Sequence, residues 1–279
     1  MTGDKKVLGL IAGQGRLPFI VAQGAKKEGL KVVCVGFDGN AEPNLAEKVD
    51  IFYNVPIARP GNWISKLRRH GITSTIMVGR VTKTKMYTPF RILKYLPDWR
   101  AFRIWYWRLR NKDKQNDTIL NALADELASG GIILEDSTKY CKEHLADKGT
   151  MTKNKPSQSM LDDIEFGWSI VKKLGEFDIG QAAAVREKEI IAIEAIEGTA
   201  KMIERAGQCC KKGGWTLIKA SKPHQDMRFD VPCIGIDTIQ QLKAANAKCV
   251  AVEAGKTIII DKPDTLKLAD ELGIIVVGM

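Results

Sequence analysis

No apolar run in this chain approaches the roughly 20 residues that a membrane-spanning helix needs, so its 279 residues are not expected to cross a bilayer. Histidine is scarce: His70, His144 and His224 are the whole complement. With no G-x-S-x-G anywhere, they form no triad around a nucleophile elbow. The six cysteines (34, 141, 209, 210, 233 and 249) show no C-x-x-C spacing. A zinc site or disulfide framework is therefore not expected, and a reducing cytosol fits. The N-terminal apolar run stops within a few residues at a glycine-rich turn, with no small-residue cleavage site. It reads as a first strand rather than a signal peptide.

What is present is ordinary globular composition, 44% apolar and 27% charged, in a length that suits two domains. The first 135 residues, within a first domain of 1–141, alternate short β-branched runs with helical patterns. Strands are predicted at Val7–Ala12, Val32–Phe37, Ile51–Asn54, Thr75–Val78 and Ile132–Leu134, and helices near 17–28, 61–70, 99–110 and 117–128. Continuous apolar strands separated by helices predict a doubly wound, Rossmann-like parallel sheet. Residues 142–160 are polar and rich in Lys, Asn, Ser, Pro and Gly, and read as a hinge linker. A distinct C-terminal α/β domain follows over 161–279. Its helices are predicted near 161–175, 199–206 and 264–272. Its strands are predicted at Gln181–Val185, Ile190–Ala195, Leu217–Ala220, Ile234–Ile236, Cys249–Glu253, Thr257–Ile260 and Ile274–Val277.

The formal net charge of +10 is concentrated. Residues 83–114 hold ten Lys/Arg against two Asp, together with Trp99, Trp105 and Trp107, half of all the tryptophans. Arginine and tryptophan at helical spacing suit a helix lying in a lipid interface or touching an acylated ligand. They also suit a surface helix with one face packed and the other solvated. Stacking rings among cations would serve single-stranded nucleic acid, but no RNA-binding or zinc-finger pattern accompanies them, and nucleic acid is not expected.

The first strand runs into Gly13-Gln14-Gly15 and Pro18. Glycines after a strand let a backbone approach a phosphate, with a helix N-terminus behind them; a merely tight turn is the other reading. Gly79-Arg80 stands at the same kind of position after the fourth strand, where ligands collect in open α/β sheets. Asn116-Asp117-Thr118 precedes an apolar helix, as an N-cap or as substrate contacts. The densest signal lies in Lys222, Gln225, Asp226, Arg228 and Asp230. In an extended segment Asp226, Arg228 and Asp230 would share one face, able to hold a divalent ion and clamp a phosphate. Glu194 and Glu197-Gly198-Thr199 add carboxylates beside a helix start, and Asp178-Ile-Gly180-Gln181 adds an acid and an amide at a turn.

The segments LGLIAGQGRLP (8–18), VGRV (78–81), NDTIL (116–120), DIGQAAAV (178–185), EAIEGTAKMIERAG (194–207), KPHQDMRFDVPCIG (222–235) and VAVEAGKTIIIDK (250–262) resemble, in order, the LpxI family. These are the UDP-2,3-diacylglucosamine pyrophosphatases of lipid A biosynthesis. The resemblance implies a Rossmann-like N-terminal domain and a distinct C-terminal α/β domain, a homodimer, and a substrate held between the domains. It implies Mg²⁺-dependent hydrolysis to UMP and 2,3-diacylglucosamine 1-phosphate, with water attacking the uridine-side phosphorus. The family's critical aspartate falls on Asp230. The chain departs from the family at Asn116 and in the basic stretch after Val81.

The reading is then a cytoplasmic enzyme, peripheral at the inner membrane through 83–114. Asp230, Asp226 and Arg228 are expected to be catalytic, and Asp230, Asp226 and Glu197 to be Mg²⁺ ligands. Substrate contacts are expected from Gly13, Gln14, Gly15, Gly79, Arg80, Asp117, Gln181, Gly198, Thr199, Lys222 and Gln225. The alternative is a non-catalytic protein that binds a nucleotide sugar or lipid phosphate.

Overall fold

A computed structural model describes residues 6–81, 96–108, 116–223 and 225–279, and divides them into two compact units. The first comprises the chain to Cys141 together with Asp226–Phe229; the second comprises Lys142–Gln225 and Asp230–Met279.

In the first unit β1 (Val7–Ala12), β2 (Lys31–Phe37), β3 (Ile51–Val55), β4 (Ser74–Val78) and β5 (Ile133–Leu134) form one sheet in the order β3-β2-β1-β4-β5. Every pairing is parallel. This is the Rossmann-like sheet expected from the sequence, and the physical reason is local. A parallel sheet buries both faces, so its strands must be apolar without alternation, and residues 8–12 and 32–37 are all buried. The strand order reverses between β1 and β4, the switch point at which open α/β sheets bind ligands. Helices α1 (Leu17–Lys27), α2 (Pro60–Arg68) and α4 (Asn116–Ser129) accompany the sheet.

Helix α3 (Trp99–Arg103) lies within the 99–110 expected and continues as a single π-type turn over Ile104–Arg108, with 109–110 outside the described residues. Its packing differs from that of an ordinary surface helix. The arginine face turns inward: Arg100 Nη1 lies 2.6 Å from Glu126 Oε1, and Arg103 grips the same carboxylate through Nε (3.0 Å) and Nη2. The Glu126 side chain is fully buried. Burial pushes its carboxyl up, but the hydrogen bonds from Arg103 and Arg100 outweigh this and hold it below the usual carboxylate range.

The second unit has a six-stranded sheet in the order β6-β13-β11-β9-β7-β8. Its strands are β6 (Gly149–Thr150), β7 (Ala182–Arg186), β8 (Glu189–Ile193), β9 (Thr216–Lys219), β11 (Cys249–Val252) and β13 (Ile275–Gly278). The strands β9, β11 and β13 run parallel, while β6 and β7 run antiparallel to their neighbours. Two short strands, β10 (Cys233–Ile234) and β12 (Ile258–Ile259), pair separately. Helix α5 (Gln158–Glu176) covers one face, where Ile164 and Val171 meet Ala183, Val185, Ile218 and Ala251. On the other face α6 (Thr199–Cys209), α7 (Ile236–Ala244) and α8 (Lys262–Leu272) meet Ala184, Leu217 and Val250 through Met202, Ile239 and Ala269. Alternate residues of β7, β9 and β11 thus face opposite layers, which explains why these strands are apolar throughout.

Two elements differ from expectation. Helix α7 begins at Ile236, where a strand end was expected; buried Ile239 and Leu242 give it its apolar stripe. The stretch 142–160, expected as a linker, lies in the second unit. Its Gly149–Thr150 pairs with β13, Ala146 is buried, and Ser157 caps α5 by accepting from the Met160 N–H. Polar composition hid these roles because backbone pairing and capping do not require apolar side chains.

Candidate functional site

Two polar edges come from these folds. In the first unit the turns after β1 and β4 lie against one another. Gln14 and Arg80 exchange backbone hydrogen bonds (2.8 and 2.9 Å), and the Gly13 N–H donates to Val78 O at 2.9 Å. A Cβ on Gly13 would stand 2.6 Å from Arg80 O, and one on Gly79 would stand 2.7 Å from the Gly13 carbonyl carbon. Close backbone approach therefore explains both glycines. Gly15 is different: its φ is +106° and a Cβ there would meet open space, so only its conformation demands glycine. Gly13, Gln14, Gly15, Gly79 and Arg80 thus come together at the switch point, with Gln14 and Arg80 exposed. The side chain of Asp117, at the start of α4, lies outside the described residues, as do 83–95, 109–114 and His224.

In the second unit one edge of the sheet collects the starts of β7 and α6 and the ends of β8 and β9. A hydrogen-bonded chain crosses it. The Lys219 ammonium donates to Thr199 Oγ1 at 2.8 Å, and that hydroxyl donates to Glu194 Oε1 at 2.6 Å. The Gln181 N–H points at Glu194 Oε2. Lys219 and Glu194 are each only 7% exposed. The Gln181 Oε1 and Gln225 Nε2 atoms are buried with no hydrogen-bond partner among the described residues. Gly198 precedes α6 at φ 81°, and no side chain caps that helix, so its first N–H groups have no intrahelical acceptor. Lys222 ion-pairs with Asp178, and its N–H donates to Gln225 Oε1 at 2.7 Å.

Beside this lies a second hub. Glu253, just past β11, accepts from Lys172 Nζ (2.6 Å) and the Ser221 N–H (2.9 Å), and pairs with Lys256 at 2.9 Å. Burial raises the Glu253 carboxyl, but donation from Lys172, Ser221 and Lys256 overrides it and lowers it to about 2. Phe177, Ile179 and Ile196, on the loops around the first cluster, stand exposed at 72%, 49% and 105%.

Gly180 explains how these loops meet. A Cβ on it would stand 2.1 Å from Glu194 O, which is main chain and cannot swing aside. Gly180→Ala is expected to force the loops apart, costing about 3 kcal/mol and most of the activity. Urea denaturation with an activity assay checks this, and a variant of wild-type stability would overturn it.

Several expectations are corrected. The extended trio of Asp226, Arg228 and Asp230 does not form, because the chain turns. Asp226 accepts from the Arg228 N–H (3.0 Å) and closes the turn, Phe229 packs into the first unit's core, and Asp230 is half-buried in the second unit. Both oxygens of Asp226 are held by the Arg228 guanidinium, at 2.6 to 3.0 Å, and this lowers the carboxyl further below its usual range. Arg228 also reaches Asn121 Oδ1 at 3.0 Å. Glu197 pairs with Arg205 at 2.6 Å. Among the described residues no group of three or more His, Cys, Asp or Glu is placed to hold a metal. Asp226 and Glu197, expected as Mg²⁺ ligands, are each paired with an arginine, Arg228 and Arg205.

Glu194, Lys219, Ser221, Glu253 and Lys172 make up these two clusters and lie outside the expected set. Glu194 and Glu253 stood in quoted motifs, while Lys219 ends β9, Ser221 lies just beyond it and Lys172 is on α5. Only the ends of apolar strands could have signalled them.

Fold and edges together define a two-unit α/β protein, with a glycine-lined switch point in one unit and a buried cationic sheet edge in the other. The chain belongs to the LpxI family: residues 7–144 match the LpxI N-terminal domain and residues 147–277 the LpxI C-terminal domain. It is 29% identical over 280 aligned positions to the UDP-2,3-diacylglucosamine pyrophosphatase LpxI of Caulobacter vibrioides, covering 98% of this chain and 97% of that protein. Among solved structures, a phosphoribosylglycinamide synthetase from Anaerococcus prevotii aligns at TM-score 0.27 and 14% identity, over 72% of this chain and 35% of its own. A UDP-glucose-4-epimerase from Stenotrophomonas maltophila aligns at TM-score 0.30 and 14% identity, over 61% and 49%. At those scores neither bears on the site.

Proposed function

We propose that this chain hydrolyses the pyrophosphate bond of UDP-2,3-diacylglucosamine to UMP and 2,3-diacylglucosamine 1-phosphate, a step of lipid A biosynthesis. The observation that carries the reading is the buried Lys219 beside the uncapped start of α6. A cation and free N–H groups in a water-poor setting stabilise charge developing on a phosphate. The exposed Phe177, Ile179 and Ile196 border that edge and suit acyl chains, while the paired glycine turns of the first unit suit the nucleotide. Family membership over nearly the whole chain supports the same assignment.

Within this reading Asp230 activates the attacking water, and Lys222, Gln181, Gln225 and Thr199 orient substrate oxygens. Arg228 is held ready by Asp226. Mg²⁺ dependence belongs to the proposal too. Mg²⁺ usually takes only one or two carboxylates and completes its shell with substrate phosphates and water, and no step here is routed through it. The homodimer and a peripheral membrane address complete the proposal. Among the described residues no helix is long and apolar enough to cross a membrane.

Asp230→Ala is expected to abolish turnover while substrate binding persists. The assay is UDP-2,3-diacylglucosamine in ¹⁸O-water with and without Mg²⁺. Label in UMP, absent with the variant, is the expected result. Tight binding of the UDP-sugar without release of UMP under any divalent ion would leave a binding protein instead.

A further inference from the structure

We propose that α3 and the turn after it seat this protein on an anionic lipid surface, with the rings of Trp99, Phe102, Trp105 and Tyr106 in the headgroup boundary. The inference rests on the membrane-surface address proposed above and says which face makes the contact. An amphipathic helix on a globular protein ordinarily turns its apolar face inward. Here the reverse holds. Arg100 and Arg103 point at the buried Glu126, and the rings point out: Trp99 is 66% exposed, Trp105 57% and Phe102 48%. Trp99, Phe102 and Tyr106 follow the i, i+3, i+7 spacing of one helix face and stack in succession with nearly parallel planes, 5.5 Å between neighbouring centroids.

The face is also fixed in place. Asp98 caps α3 by accepting from the Ala101 N–H at 2.9 Å and from the Gly61 N–H at 2.7 Å, and Arg59 donates to Leu96 O at 3.0 Å. Those contacts and the Glu126 pairing tie both ends of the ring stripe to α2 and α4. A rigid stripe loses little conformational entropy on docking.

Charge selects the occupant. The 83–114 stretch carries ten Lys/Arg against two Asp, and among the described residues Arg100 and Arg103 pair with Glu126. Tryptophan and tyrosine favour the headgroup level, and each cation near an anionic surface adds about 1 kcal/mol. A second copy of this chain would bring the same positive charge to the contact, which disfavours a dimer through this face.

The test uses the full chain with phosphatidylcholine vesicles, with and without phosphatidylglycerol, in a flotation assay, and brominated lipids as quenchers of tryptophan fluorescence. Binding to the phosphatidylglycerol vesicles with quenching is expected, falling as salt rises. The triple variant Trp99→Gln, Phe102→Gln, Trp105→Gln changes only half-exposed or exposed side chains. It is expected to lose vesicle affinity by about tenfold or more, while keeping the wild-type melting temperature and its turnover of detergent-dispersed substrate. Absent vesicle binding, equal binding by the variant, or a dimer that the variant abolishes would each overturn the proposal. An inactive wild-type enzyme that still floats with the vesicles would sink the hydrolase reading and leave this one standing.

Discussion

Lys219→Met is expected to lower hydrolysis of the pyrophosphate by about 100-fold or more, the scale on which removing one preorganised donor acts. Lys219 is 7% exposed, and the described residues occupy one of its ammonium's three donors, through Thr199 at 2.8 Å. The chain Lys219–Thr199–Glu194 aims that cation at the start of α6 without neutralising it by direct contact, because the hydroxyl stands between the two charges. Methionine keeps the aliphatic volume and removes the charge, so the loss should fall on kcat rather than on substrate affinity. Stability should move by only about 1–3 kcal/mol, the cost of leaving the Thr199 oxygen without its donor. The measurement is kcat and KM for UMP release, beside thermal unfolding. Turnover within a few-fold of wild type would remove Lys219 from the site.

Glu253→Gln is expected to destabilise the second unit strongly, with a signature in pH. Glu253 gathers Lys172, Lys256 and the Ser221 N–H and hydroxyl, and its carboxyl is lowered to about 2 from a usual 4.5. A carboxylate whose folded-state pKa is depressed stabilises the fold fully above its unfolded value. That contribution fades as pH falls from 4.5 toward 2, where both states are protonated. A drop of this size corresponds to roughly 3 kcal/mol. At neutral pH the variant should therefore unfold at lower urea, and the gap to wild type should close progressively below pH 4.5. A gap that stays constant with pH would show that packing, not charge, is what Glu253 contributes. Activity should fall as well, since Ser221 and Lys222 follow directly from the strand end that Glu253 fixes.

The difference between what was legible and what was not follows from the kind of interaction. Strand positions in the first unit were readable to within a residue, because a parallel sheet buried on both faces forces continuous apolar runs such as 8–12 and 32–37. The glycine turns were readable because close backbone approach excludes every side chain. The 226–230 segment is not legible in this way, because alternating acid and base is compatible with a turn as well as with extended structure. The Asp226 carboxylate instead closes a turn onto the Arg228 N–H, a choice that period-two reasoning does not see.

By itself the sequence determined the two α/β units, the identity of the first sheet's strands, the glycines at the switch point and the family to which the chain belongs. Those features rest on local constraints: burial pattern, backbone conformation and motif order. Only the tertiary structure decided that Lys219, Glu194, Ser221, Glu253 and Lys172 gather at one sheet edge, contributed from three strand ends and a helix far apart in the chain. It alone decided that Asp226 answers to Arg228, and that the ring face of α3 turns outward. The reason for the last is a single buried carboxylate. Glu126 sits on another helix, and sequence periodicity cannot say which face of an amphipathic helix will meet it; once it is buried, its charge requires the arginines to turn in.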